Sequence, residues 1–170
     1  MFNHIPLSSM LRDDMPTRAY QDCCVIDLPA DVQSIDQLLA AFFRGAPEWF
    51  HLLLRLRNRL VSPLGFKTAQ VPRRPPLPPY QVGQQVGLFR IYALEADEVV
   101  LGEEDTHLRF RTSLHLSPGP RGPQLAVSTW VYPHNSVGRA YFALIKPFHR
   151  RIMPVIARAT LRQLDGATLQ

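Results

Sequence analysis

Between Thr106 and Leu164 the chain has no aspartate or glutamate. The same stretch carries nine fixed cations, Arg109, Arg111, Arg121, Arg139, Lys146, Arg150, Arg151, Arg158 and Arg162, and four of the six histidines, His107, His115, His134 and His149. Just upstream the sign reverses, with Glu95, Asp97, Glu98, Glu103, Glu104 and Asp105. Two such blocks either neutralise each other in the fold or leave the basic one facing an external anion. Cysteine is scarce as well. Cys23 and Cys24 are adjacent, so in a strand they point to opposite faces; a bond between them would be strained, and neither has another partner. They read as two small hydrophobes in a reducing cytoplasm. No run reaches the ~18 uncharged apolar residues of a membrane span. Residues 1–16 hold no apolar segment long enough for a signal peptide. Cys-x-x-Cys and His-x-x-x-His are both missing, and Gly83-Gln84-Gln85-Val86-Gly87 lacks the spacing and the lysine of a phosphate loop. No metal or cofactor is expected.

What is present suits one domain. A chain of 170 residues buries roughly 70% of its unfolded surface, and 46% hydrophobic residues supply a core. The net charge is +5. Residues 1–17 are expected to form a flexible tail, with Asp13, Asp14 and Pro16 interrupting any pattern. Residues 18–165 form the domain. Tyr20–Leu28 is rich in strand formers and ends at Pro29. Ser34 and Gln37 have capping-box spacing, opening a helix that carries Leu38, Leu39, Phe42 and Phe43 and stops at Gly45. Pro47 suits the first turn of a second helix, Glu48–Leu60. Its apolar face is Trp49, Leu53, Leu56 and Leu60, and its polar face His51, Arg55 and Arg59. Sixteen prolines are present, five of them in Pro72–Pro79, which makes residues 67–83 an extended, Pro-rich loop.

From Gln85 the apolar period becomes two. Four strands are predicted: Gln85–Ala96, Glu98–Glu103, Thr106–Ser117 and Gln124–Pro133. In the third, Leu108, Phe110, Leu114 and Leu116 share one face; His107, Arg109, Arg111, Ser113 and His115 share the other. Short gaps imply antiparallel pairing, which leaves the Arg/His face free to meet water. The acidic hairpin around Glu98–Asp105 is expected to neutralise Arg109 and Arg111 across strands. Asn135 or Ser136 then opens a helix to about Leu164, with Tyr141, Ile145, Phe148, Ile152, Ile156 and Ala159 inward. Pro147 and Pro154 predict a kink or break near Lys146.

Strand, helix pair, strand meander and long C-terminal helix together resemble the helix-grip fold of the START, polyketide-cyclase and plant-allergen superfamily. Three local strings, Leu53–Leu60, Gly102–Leu108 and Asn135–Arg150, resemble a bacterial domain-of-unknown-function family whose members occur alone or beside nucleotide-sugar-epimerase-like domains. The resemblance covers roughly residues 18–162. It implies an α+β fold in which a curved antiparallel sheet wraps the last helix and leaves an apolar cavity. The superfamily usually has six strands after its helix pair, and the sequence yields four; either strands lie within Val61–Gly83 or the sheet is trimmed.

Three functions follow. The first is a binding module holding a small apolar or anionic amphipathic molecule between sheet and helix. Leu108, Phe110, Trp130 and Phe148 are the candidate lining, Asn135, Arg139 and Tyr141 the candidate polar groups, and the Pro-rich loop lies near the mouth. The second is an enzyme in the same cavity, with Tyr132, Asn135, Arg139, Tyr141 or His149 at its mouth. The third is an interaction or peripheral-membrane domain using the basic last helix. Nucleic acid is not an expected partner, because Tyr141, Phe142 and Phe148 read as buried rather than interleaved with the cations. The sequence does not set the oligomeric state.

Overall fold

The computed structural model describes residues 4–32, 34–45, 49, 52, 55, 58–59, 62–64, 77–87 and 89–167. Its regular elements are β1 (Tyr20–Asp27), α1 (Ile35–Arg44), β2 (Gln85–Val86), β3 (Phe89–Leu94), β4 (Glu98–Glu104), β5 (Leu108–Gly119), β6 (Gly122–Pro133) and α2 (Ser136–Ala167). The class is α+β. One curved, antiparallel sheet of six strands, in the order β1-β6-β5-β4-β3-β2, packs against α1 and the long α2. The strand predicted over Gln85–Ala96 is two strands. Gly87 takes a φ of 64°, a left-handed turn conformation that glycine adopts at no steric cost, and Val86 pairs back on Phe89.

α1 begins where the sequence places it. Ser34 Oγ accepts a hydrogen bond from the Asp36 N–H at 3.2 Å, which satisfies one of the orphan donors of the first turn. Gly45 closes the helix with a φ of −75°, so conformational freedom does not explain it. A Cβ there would stand 2.9 Å from the Ala159 backbone of α2, so glycine is what lets the two helices touch. In the region of the second predicted helix, Trp49, Leu52, Arg55, Asn58 and Arg59 are helical; Leu53, Leu56 and Leu60 of its apolar face lie outside the described residues, as do residues 67–76 of the Pro-rich loop.

α2 runs unbroken through Pro147 and Pro154, against the predicted break near Lys146. Phe142, on one side of the prolines, packs in a cluster with Leu108 and Val131 of the sheet. Ile156, Ala157 and Leu164, on the other side, lie in the main core. Tertiary packing of both halves outweighs the local cost of the missing donors. The inward stripe is also turned by about one residue, ~100°, from the predicted one. Phe142, His149, Met153, Ile156, Thr160 and Leu164 face the protein; of the predicted stripe, Tyr141, Ile152 and Ile156 do pack inward, while Phe148 is 52% exposed.

The outer face of the sheet is not wet. Residues 4–17, expected to be a flexible tail, lie across it around a short 3-10 turn, Met10–Arg12. Ile5 and Leu11 are buried with Val100 and Trp130, and Met10, Met15 and Tyr92 pack around them. The Trp130 indole N–H donates to the Leu11 carbonyl at 3.0 Å. The segment has no periodicity to read because it is irregular backbone, yet its scattered apolar side chains are what cover the face. Arg111, Ser113 and His115 are buried as a result. The expected neutralisation holds for one arginine: Arg111 meets Glu104 at 3.5 Å, and it stacks 3.5 Å from the Tyr92 ring centroid. Arg109 instead meets Asp14, from the N-terminal segment, at 4.0 Å.

Candidate functional site

The seven predicted site residues fall in four places. Leu108, Phe110 and Tyr141 come together on the inner face, where they cluster with Tyr20, Val131 and Phe142; the Tyr20 and Phe142 rings lie 5.1 Å apart. Trp130 pairs with Arg111 in register and shares its outer face, so it cannot line a space beneath α2. Phe148 points to solvent. Asn135 and Arg139 sit at the start of α2. Asn135 Oδ1 accepts from the Gly138 N–H at 2.9 Å and its amide donates to the Thr106 carbonyl at 2.9 Å, so Asn135 caps the helix. A Cβ on Gly138 would fall 2.0 Å from the His107 carbonyl oxygen, which forces glycine where α2 leaves the sheet. Arg139 is exposed.

The inner face holds a polar constellation that the predicted set misses. Along β1 the inward positions are Tyr20, Asp22, Cys24 and Ile26. Asp22 stands opposite Thr129 of β6, which stands opposite Thr112 of β5. The two threonine hydroxyls lie 3.1 Å apart. A row of three buried polar side chains therefore crosses three strands between two apolar clusters. From α2, His149 Nδ1 reaches Asp22 Oδ2 at 3.1 Å. The Tyr20 hydroxyl donates to the same oxygen at 2.9 Å. Burial, and then the bond to Asp22, push the Tyr20 hydroxyl well above the usual tyrosine range, with Arg150 opposing. Tyr20 is therefore held as a donor. Lys146 Nζ lies 4.7 Å from the Tyr20 ring centroid, which brings a cation to the same end.

This arrangement has definite chemistry. Asp22 holds the proton of His149 on Nδ1 and thereby fixes the ring's orientation. Nε2 has no partner among the described residues, and the side chain is 23% exposed. That nitrogen can accept a hydrogen bond or a proton, and once protonated it can donate to an anion, with Asp22 stabilising the charge. In the sequence His149 stands out only as a candidate at the cavity mouth. Tyr20 and Asp22 are missed. The available signal was an acidic residue at an inward position of an apolar strand, since buried carboxylates are rare unless paired.

The inner polar row does not coincide with the cleft between α1 and the last turns of α2. That cleft is about 210 Å³ and is lined by Asp31, Val32, Gln37, Ala41, Arg44, Gln163 and Leu164. No group of histidine, cysteine and acidic side chains suited to a metal occurs among the described residues. Cys23 and Cys24 are free and buried, and burial pushes the Cys23 thiol up, which fits the inert reading.

Residues 15–156 match the model of a family described as protein of unknown function, DUF2867. No curated protein matches the chain. Among solved structures, the chain is similar to the protein MLL2253 from Mesorhizobium loti, with 13% identity, a TM-score of 0.43, and coverage of 86% of this chain and 97% of that one.

Proposed function

The chain belongs to the DUF2867 family of proteins of unknown function, and we propose that it is a binding module for a small amphipathic molecule held between the sheet and α2. One observation carries this reading. A buried Asp22, paired with the partly exposed His149 and a tyrosine donor, interrupts a largely apolar inner face, next to the half-buried aromatic rings of Phe110, Tyr141 and Phe142. A face serving only to pack a helix gains nothing from a desolvated carboxylate. The ligand's apolar body lies on the aromatic cluster, and its polar end meets His149 Nε2. Lys146 and Arg150 on the adjoining turns make that end positive, which favours an anionic or hydrogen-bond-accepting head. The six-stranded curved sheet with its long C-terminal helix supports the helix-grip comparison with START and polyketide-cyclase-like proteins, although five strands, not six, follow α1 among the described residues.

A fluorescent fatty acid tests the reading. It should bind saturably and be displaced by a natural lipid extract, and His149→Ala should weaken a carboxylate-headed probe by roughly tenfold or more, the worth of one charge-assisted hydrogen bond. No saturable binding, or equal binding in the wild type and His149→Ala, ends the proposal. A second reading, an enzyme acting on such a ligand in the same place, is favoured by the geometry of the Asp22–His149 pair alone, which orients Nε2 as a general base. Consumption of the displaced lipid by the wild type and not by His149→Ala would select it over simple binding.

A further inference from the structure

The side of α2 turned away from the protein carries a second apolar stripe. Val137, Leu144, Phe148 and Val155 are 40%, 65%, 52% and 39% exposed. Their spacing of seven, four and seven residues puts all four on one line of the helix. Arg151, Arg158 and Arg162 fall on the same side by the same count, and all three are exposed. Their side chains form no ion pair or hydrogen bond with any described residue. No acid occurs anywhere from Ser136 to Leu164. The fold thus gives Arg111 and Arg109 carboxylate partners and gives these three arginines none among the described residues. Four large apolar side chains and three exposed cations share one ridge about 38 Å long, at a rise of ~1.5 Å per residue from Val137 to Arg162.

We infer that this ridge docks the protein on an anionic lipid surface. Two of the other occupants fit the chemistry less well. A second copy of the chain would bring two acid-free helices face to face, adding cations to the contact and no carboxylate to pair them. A folded acidic partner would need a groove shaped to a convex ridge whose apolar side chains stand proud of it. A bilayer interface needs no groove: Leu144 and Phe148 enter among the acyl chains, and the arginines stay at the headgroups. No helix is long and apolar enough to cross a membrane among the described residues, so the contact is peripheral. The inference does not depend on the inner-face ligand, because the ridge and the Asp22–His149 pair lie on opposite sides of α2.

Co-sedimentation with vesicles tests it, using the full chain. The protein should pellet with phosphatidylglycerol-rich vesicles, stay in solution with pure phosphatidylcholine, and be released as salt screens the headgroups. Leu144→Asp and Phe148→Asp should abolish pelleting. Each of Arg151→Gln, Arg158→Gln and Arg162→Gln should lower the partition about fivefold, the effect of one cation near an anionic surface. All five sites are exposed, and unchanged circular dichroism checks that each variant is folded. The inference is overturned by no pelleting at low salt. It is overturned equally by pelleting that ignores Leu144→Asp and Phe148→Asp and is matched by polyglutamate or duplex DNA, which would mark a plain basic surface. A concentration-dependent dimer that Leu144→Asp dissolves would also overturn it, in favour of a self-contact.

Discussion

Each face of the sheet buries one carboxylate, and the two are treated differently. On the outer face, Glu98 is almost fully buried and accepts from the hydroxyls of Ser9 and Ser113 and from the Met10 N–H. Its donors are neutral, and two of them belong to the N-terminal segment. The arrangement staples that segment to β4 and offers nothing to a visitor. On the inner face, Asp22 accepts from a tyrosine and from a histidine, both on one oxygen, and the histidine keeps a second nitrogen unpartnered among the described residues. A charge whose donors are all used up makes structure; a charge whose donor still has capacity can make chemistry.

The largest effects should therefore come from the outer face and appear in stability. Leu11 has no exposed surface, whereas Leu7 is 87% exposed. Leu11→Ala should cost about 3–4 kcal/mol in urea unfolding by opening a cavity over Trp130, and Leu7→Ala should change stability by less than about 0.5 kcal/mol. Equal costs would mean that the segment is loose after all and that the outer face is covered by something else.

The carboxylates themselves sharpen the contrast. Glu98→Gln removes the charge and turns one acceptor into a donor among three donors. It should cost about 2 kcal/mol or more and leave probe binding unchanged. Asp22→Asn should cost less, about 1 kcal/mol, because His149 can turn towards solvent, and it should weaken probe binding as much as His149→Ala does. If Glu98→Gln disturbs binding while Asp22→Asn does not, the assignment of the two faces is reversed.

Much of this was legible because one signal dominated it. In β5 the alternation of Leu108, Phe110, Leu114 and Leu116 with Arg109, Arg111, Ser113 and His115 gives the strand and its correct inner face. The cap at Ser34 and the start of α2 are local chemistry, and local chemistry is what short sequence windows record. What failed depended on distant partners. The covering of the outer face needs Ile5 and Leu11 to meet Val100 and Trp130, a contact with no local trace. Trp130 looked like a cavity residue because its own strand does not say which face is covered by what. The rotation of α2 was misread because Phe148 outweighs His149 on apolarity alone. His149 turns inward towards a carboxylate more than a hundred residues earlier, at Asp22, and the periodicity of α2 contains no information about β1.

The smallest effect separates the faces by pH. Cys23 lies on the outer face opposite Ser128, and Tyr20 on the inner face opposite Val131. Burial raises the pKa of both in the fold. With a raised folded pKa, the unfolded chain releases its proton first, so the stability contribution is complete below the unfolded pKa and is lost as pH rises towards the folded value. The unfolded values are about 8.5 for cysteine and about 10 for tyrosine. Urea midpoints should therefore be flat between neutral pH and about 8.5, fall gently above it, and fall more steeply above about 10. Cys23→Ala should remove the first step and keep the second. Tyr20→Phe should keep the first step and reduce the second to the part that burial of Tyr80 supplies, at the small added cost of the hydrogen bond to Asp22, and should also loosen the probe because Asp22 loses its second donor. A single step that neither substitution alters would show that neither proton is held by the fold, and the inner face would then lose its fixed donor.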